Sequence, residues 1–216
     1  MDARIETTIE GVSIGVVRIE DLRVGPAPEA LKGRTAERIE KLRETFGGEE
    51  DVKKMVRSIL RFGKYKPSGR GKPASEYLLE SAREGSFPSI NNAVDALNFV
   101  SLGSGLPISL IDTAKAGTHF FRLRRGREGE SFVFNRSGQV LQLQDLILIS
   151  ALPSDEPLAT PVKDCQKTKV DEETTEALAV IYSPKGMAAG LREAAEELAS
   201  EMSAFSKAES AAIVGA

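Results

Sequence analysis

The hydrophobic pattern changes its period along the chain, and this change constrains the fold more than any other feature. In the first half, apolar residues such as Val52, Val56 and Ile59 recur at helical spacing. Residues 118–149 instead form short apolar runs separated by glycine and asparagine turns, which is typical of strands joined by hairpins. Helices that precede a block of strands, rather than alternating with it, predict an α+β fold with a mainly antiparallel sheet and packed helices.

The same pattern divides the chain into three parts. Residues 1–64 are expected to supply an N-terminal strand and helices that pack on the main domain, including a helix over residues 29–46 that Gly47 and Gly48 end. Residues 65–205 are expected to form that domain, with a buried helix over residues 90–102 packed on a sheet built mainly from residues 118–149. Residues 206–216 are expected to be a frayed tail.

Composition excludes several classes of protein. The chain has 216 residues, 41% of them hydrophobic, with one cysteine and one histidine. An internal disulfide and Cys- or His-based zinc sites are therefore excluded, and we expect neither a metal nor a cofactor. The acidic start lacks an apolar signal region and no run suits a membrane span, so a cytoplasmic protein without membrane partners is expected. The net charge of -3 argues against a surface that coats nucleic acid as a whole.

Polar side chains interrupt the apolar helix predicted over residues 90–102. Asn91, Asp95 and Asn98 stand at positions i, i+4 and i+7 and so share one helical face. Short polar groups at such positions are poor helix formers and are costly to bury without partners. One interpretation is that they cap loops or cross-link the core. The other is that they line a polar pocket, which the turn at residues 103–105 closes.

Positive charge is concentrated in residues 53–72, which carry eight lysines and arginines and no acidic residue. The segment is either a solvated helix face and loop or a patch that binds an RNA backbone. On the second interpretation Tyr65 is available for stacking on a base, and the tRNA-binding residues are Arg57, Arg61, Lys64, Lys66 and Arg70.

Cys165 and His119 are the other candidates for chemistry. Lysines surround Cys165 in the sequence and favour a thiolate, but no base is evident nearby, so a structural cysteine is the expectation. His119 adjoins a predicted strand and is expected to be a structural residue rather than a catalyst.

Several motifs together resemble one known family. They are Pro-Ser-Ile-Asn-Asn-Ala-Val-Asp-Ala-Leu-Asn at residues 88–98, Ser-Leu-x-Ser-Gly-Leu-Pro-Ile at residues 101–108 with Asp112, and Asp-x-Gln-x-Thr-Lys-Val at residues 164–170. Residues 65–183 resemble the editing domain, comprising the third and fourth B modules, of the phenylalanyl-tRNA synthetase beta subunit. No synthetase catalytic core accompanies them, so the chain is similar to the free-standing versions of this domain.

The resemblance implies an activity and a site. The family's domain hydrolyses the ester that joins a wrongly attached amino acid to tRNA. The chain is therefore expected to act as an aminoacyl-tRNA deacylase that uses a bound water, or to bind the amino acid of its partner tRNA. A free amino acid is a second possible ligand. By the resemblance, the amino-acid pocket comprises Asn98, Ser109, Ser104, Asn91, Asp95, Asp164 and Thr168. Leu97 and Ser109 stand where the bacterial family members usually carry threonine and histidine. The alternative is a non-catalytic RNA- or small-molecule-binding module that has kept the fold.

Overall fold

A computed structural model describes residues 3–44 and 50–215, with backbone only at residues 211–214. In chain order the elements are β1 (Arg4–Thr7), β2 (Val12–Glu20), α1 (Glu29–Glu44), α2 (Glu50–Leu60), α3 (Ala74–Glu84), α4 (Asn92–Ser104), β3 (Ile108–Asp112), α5 (Thr113–Ala116), β4 (Phe120–Arg125), β5 (Ser131–Val133), β6 (Val140–Gln142), β7 (Ile147–Ala151), β8 (Pro157–Ala159), β9 (Ala177–Pro184), α6 (Ala188–Met202) and β10 (Lys207–Val214). Short 3-10 turns lie at Gly69–Gly71 and Gln166–Thr168.

The strands confirm the predicted α+β class with mainly antiparallel pairing. One sheet has the order β1-β4-β7-β8 and another has the order β10-β2-β9-β3, while β5 and β6 form a separate hairpin. Neighbours within the described sheets are antiparallel, except that β1 runs parallel to β4.

Alternation along β9 separates two apolar cores. Leu178, Val180 and Tyr182 belong to the core that lies between the two sheets. Ala179 and Ile181 face the opposite way and pack with the helices. Because successive strand residues point to opposite faces, the β10-β2-β9-β3 sheet is covered by helices on one face and by the second sheet on the other. This strand is buried along its whole length.

The structure corrects three expectations about this arrangement. The helix predicted over residues 90–102 packs on the β10-β2-β9-β3 sheet rather than on the strands of residues 118–149, because its Leu97 and Val100 share a core with β2, β3 and β9. The tail predicted to fray instead forms β10, which pairs with β2. The N-terminal strand, expected to pack on the main domain, is instead an inner strand of one of its sheets, since β2 lies between β10 and β9.

The bounds of the helices follow from their capping residues. The Asn91 side chain caps α4 by accepting a hydrogen bond from the Val94 N–H. Gly105 ends α4 at φ +71, and a Cβ at this position would lie 2.9 Å from Cγ1 of Val52. The helix α1 is described as far as Glu44, and the end predicted for it at Phe46, Gly47 and Gly48 lies outside the described residues. None of the described helices is both long and apolar enough to span a membrane.

Candidate functional site

A buried polar cluster lies where β3, β9 and the loop after β8 meet. Ser109 stands opposite Val180 in the register, so its side chain shares a sheet face with Tyr182, two residues further along β9. The Ser109 hydroxyl lies 3.1 Å from the Tyr182 hydroxyl and donates to the Thr160 carbonyl at 3.1 Å. The Ser109 and Tyr182 side chains are inaccessible to solvent. The face they occupy is otherwise apolar, so the cluster is a polar island inside the core between the sheets.

A tight turn brings Asp164 to this cluster. The Thr160 Oγ1 accepts hydrogen bonds from the N–H groups of Val162 and Lys163, and Ala159 pairs with Asp164 across the turn. The Leu110 N–H then donates to Oδ2 of Asp164 at 3.2 Å. The structure therefore brings together Ser109 and Asp164, two of the residues that the sequence assigns to one pocket.

The carboxyl group of Asp164 has unusual electrostatics. Burial raises the pKa of Asp164 to about 6, while the nearby Ser109 hydroxyl and the hydrogen bond from the Leu110 N–H act in the opposite direction. Part of the residue surface remains accessible to solvent. Burial, together with the charge of Asp164, also raises the pKa of Tyr182, which keeps that phenol protonated. A carboxyl group with such a pKa changes its charge close to neutral pH, as a general base in an active site does.

The neighbouring 3-10 turn, Gln166–Thr168, contributes a second polar group. The Thr168 hydroxyl is buried and has no hydrogen-bond partner among the described residues. Cys165 precedes this turn and is buried, and burial raises the pKa of its thiol. A thiol in this state is a poor nucleophile, which agrees with the expectation that the cysteine is structural.

The predicted supporting residues on α4 have structural partners of their own. Asn91 caps the helix, as described above. The Asp95 carboxylate accepts hydrogen bonds from the Ile90 N–H and the Ser89 hydroxyl, both at 2.7 Å, and so fixes the chain that enters α4. The Ser104 hydroxyl donates to the Val100 carbonyl and accepts from the Leu106 N–H at the helix end. For these three residues the geometry favours the capping interpretation.

Asn98 lies apart from Ser109 and Asp164. The residue is buried on α4, whose flanking residues Leu97 and Phe99 belong to the core between the helices and the sheet. Ser109 faces the other side of that sheet, as Tyr182 does. The structure thus separates Asn98 from Ser109 and Asp164, with which the sequence analysis groups it.

Part of the basic segment is occupied by ion pairs. Arg57 donates from Nε and Nη2 to the carboxylate of Glu76, at 2.6 and 2.5 Å, and this pairing raises the pKa of the guanidinium. Lys64 lies 3.8 Å from Glu128 on the surface. Of the five predicted tRNA-binding residues, Arg61, Lys66 and Arg70 are exposed and have no ion pair with a described residue.

The predicted stacking residue Tyr65 is also held in structural contacts, as are Arg124 of β4 and His119. The Tyr65 hydroxyl donates to the Gly71 carbonyl at 2.7 Å, and the ring packs against the core between the sheets. Arg124 is buried and pairs with Glu130 at 2.8 Å and Asp155 at 2.9 Å. His119 lies 4.0 Å from Glu176 near the surface, outside the Ser109 cluster.

Sequence reasoning missed three residues of this region. Tyr182 stands in a strand so apolar that its hydroxyl gave no signal, although a buried phenol needs a polar partner. Thr160 accepts the Ser109 hydrogen bond with its backbone carbonyl, which no side-chain pattern can reveal. Lys163 adjoins Asp164 in the sequence, but its contacts with Tyr77 and Phe134 emerge only from the fold.

Comparison with known proteins gives the same family that the motifs indicate. Residues 65–209 match the model of the B3/4 domain. Part of the chain is similar to the phenylalanine–tRNA ligase beta subunit of Streptococcus pyogenes serotype M3, in each of two strains, with 32% identity over 102 residues. That match covers 46% of this chain and 12% of the ligase subunit, so the likeness concerns one region of a much longer protein. The family model spans most of the present chain, from the loop before α3 to the first residues of β10, and the chain belongs to the B3/4 domain family.

Proposed function

We propose that this domain binds an aminoacyl-tRNA and hydrolyses its aminoacyl ester with a bound water. The observation that carries the proposal is the Asp164 carboxyl, which accepts a hydrogen bond from the Leu110 N–H beside the Ser109–Tyr182 pair and whose pKa burial raises to about 6. Such a group is deprotonated at neutral pH and still basic enough to accept a proton from water. Membership of the B3/4 family and the partial likeness to the ligase subunit support the choice of substrate.

The proposed reaction assigns a role to each group of the cluster. Asp164 takes a proton from the water, whose oxygen bonds to the ester carbonyl carbon. The bond from that carbon to the ribose oxygen then breaks, and the proton passes from Asp164 to the leaving oxygen. The Leu110 N–H orients the carboxylate, and Ser109 is held by Tyr182 and Thr160.

Deacylation assays on matched variants test the proposal. A panel of mischarged tRNAs is incubated with the wild type and with Asp164→Asn, and free amino acid is measured. Asp171→Asn is the control, because it makes the same chemical change at an exposed carboxylate paired with Lys115. We expect Asp164→Asn to lower kcat by 100-fold or more, on the order of a general base, and Asp171→Asn to leave it unchanged.

The pH profile provides a second readout. Because the base must be deprotonated, kcat/KM of the wild type should rise as the pH passes through about 6. A profile that is flat in this range, or full activity in Asp164→Asn, would contradict the proposed role of the carboxylate.

A non-catalytic RNA-binding module is the second candidate. It is favoured by Arg61, Lys66 and Arg70, which remain exposed and unpaired within the described chain whatever the chemistry of the cluster. The same tRNA panel separates the two functions, since a binding module retains tRNA without releasing amino acid. Binding by phosphate contacts should weaken steeply with salt and vary little between tRNAs.

A further inference from the structure

A groove beside the Asp164 cluster combines unpaired cations with an aromatic and apolar wall. Its volume is about 550 Å³, within the range of roughly 300–1,000 Å³ that small-ligand sites occupy. Arg70 and Lys163 line one part of it. Tyr77 of α3, Phe134 after β5 and residues of the β5–β6 hairpin line the remainder. No residue of the groove other than Arg70 belongs to the set predicted from the sequence.

The ammonium group of Lys163 is the central feature of this groove. Its Nζ lies 5.1 Å from the centroid of the Tyr77 ring and 5.1 Å from that of the Phe134 ring. Burial lowers the pKa of Lys163, and the charge of Lys169 lowers it further. Among the described residues no carboxylate lies within ion-pair distance of Lys163. A half-buried cation without a counter-ion is unfavourable for folding, and an anionic ligand would supply that counter-ion.

The second cation of the groove is also available to a ligand. Arg70 is exposed in the 3-10 turn Gly69–Gly71 and has no ion pair with any described residue. The neighbouring Lys72 is not available in this way, because it is paired with Glu80 and its ammonium lies 4.3 Å from the Tyr77 ring. Two cations without carboxylates therefore face one concave surface, and a planar guanidinium next to an ammonium suits a phosphate.

The opposite wall suits a flat apolar group. Val140 is 51% exposed, and it lines the groove together with Phe134 and Leu141. Aromatic and aliphatic side chains of this kind can contact the face of any nucleobase, whichever of the four bases it is. A ligand that carries both a phosphate and a flat ring matches both walls. A simple anion or a purely apolar molecule matches only one of them.

We infer that this groove binds a nucleotide, with the phosphate on Lys163 and Arg70 and the base against Phe134 and Val140. The inference rests on the proposed function for the source of the nucleotide, the end of an aminoacylated RNA strand. Lys163 and Asp164 are adjacent, so their Cα atoms are about 3.8 Å apart. Their side chains serve different sites, because the ammonium faces the two rings while the carboxylate accepts from the Leu110 N–H. A nucleotide in the groove thus lies beside the chain segment that carries the proposed base.

Calorimetric binding measurements with AMP, ribose 5-phosphate and a short single-stranded RNA test the inference. Lys163→Met keeps the apolar stem and removes the charge, and should weaken AMP binding by about tenfold or more, as expected for a lost hydrogen bond to a charged group. Phe134→Ala should weaken AMP binding while leaving ribose 5-phosphate binding unchanged, because only AMP carries a base. Lys207→Met is the control, since it removes an exposed charge that pairs with Asp21 on the β10-β2-β9-β3 sheet.

The outcomes separate this inference from the proposed hydrolysis. Circular dichroism first establishes that each variant is folded. Tighter binding of the RNA than of AMP identifies a strand end as the ligand, and equal binding identifies a free nucleotide. Nucleotide binding in a protein that releases no amino acid keeps the inference and removes the hydrolytic function. Absence of wild-type binding to both AMP and RNA, or equal affinity in Lys163→Met and Lys207→Met, overturns the inference.

Discussion

Replacing Asp164 by asparagine should make the protein more stable at neutral pH. The folded-state pKa of Asp164 is about 6, whereas the ordinary value for the side chain is 3.8. A raised pKa means that the folded protein binds a proton more tightly than the unfolded chain does. The stability that this proton contributes is fully present below pH 3.8 and is lost as the pH rises through about 6.

The magnitude follows from the same two values. A difference of about two pKa units corresponds to about 3 kcal/mol, since each unit is worth about 1.4 kcal/mol. Above neutral pH the wild type therefore carries an unfavourable charge that the asparagine variant lacks. We expect Asp164→Asn to gain about 3 kcal/mol relative to the wild type between acidic and neutral pH.

Urea unfolding of both proteins across this pH range provides the measurement. Comparing the stability difference at several pH values cancels the constant effect of exchanging an oxygen for an amide nitrogen. Asp155→Asn is an internal control with the opposite sign. Burial alone would raise the pKa of Asp155, but hydrogen bonds from Ser150, Arg124 and Arg127 lower it to about 2. This control variant should lose about 2 kcal/mol at neutral pH, and a stability difference for Asp164→Asn that does not vary with pH would refute the reasoning.

Three further predictions concern residues with a structural role. Arg57→Ala should lower the free energy of unfolding by about 1–3 kcal/mol in urea titrations, because Glu76, which is 5% exposed, then keeps its charge without a partner. Cys165→Ser should leave the deacylation rate unchanged, because water is the proposed nucleophile, and a covalent adduct on Cys165 in mass spectrometry would contradict this. Asn98→Ala should retain the deacylation rate that Asp164→Asn loses, because the sheet separates Asn98 from the cluster.

The elements could be predicted from the sequence because their periods are local. The apolar stripe of α2 and the short runs of β4 and β7 each depend on residues within one element. The partner of each element could not be read in this way. The helix α4 packs on a sheet that contains β2, β9 and β10, and their pairing joins residues at opposite ends of the chain. Such contacts leave no periodic trace in either segment.

The positive charge of residues 53–72 is a second property that depends on packing partners and could not be read from the segment alone. The segment has no acidic residue of its own, yet Glu76 and Glu80 of α3 neutralise Arg57 and Lys72 after folding. Net charge along the chain therefore overstates the positive charge that is free on the surface. For the site, the resemblance assigns Ser109 and Asp164 to one pocket, and in the structure the two residues lie close together. Composition alone contains no such long-range information.

Lys163 and Asp164 together give the strongest physical argument for a ligand. Burial disfavours the charged form of both side chains, and it therefore lowers the pKa of Lys163 and raises that of Asp164. Neighbours of opposite charge could relieve this cost by pairing, but Lys163 faces Tyr77 and Phe134 while Asp164 faces β3. Selection for stability alone would replace either residue with a neutral one. A bound nucleotide carries a phosphate, which can supply the counter-ion that Lys163 lacks among the described residues.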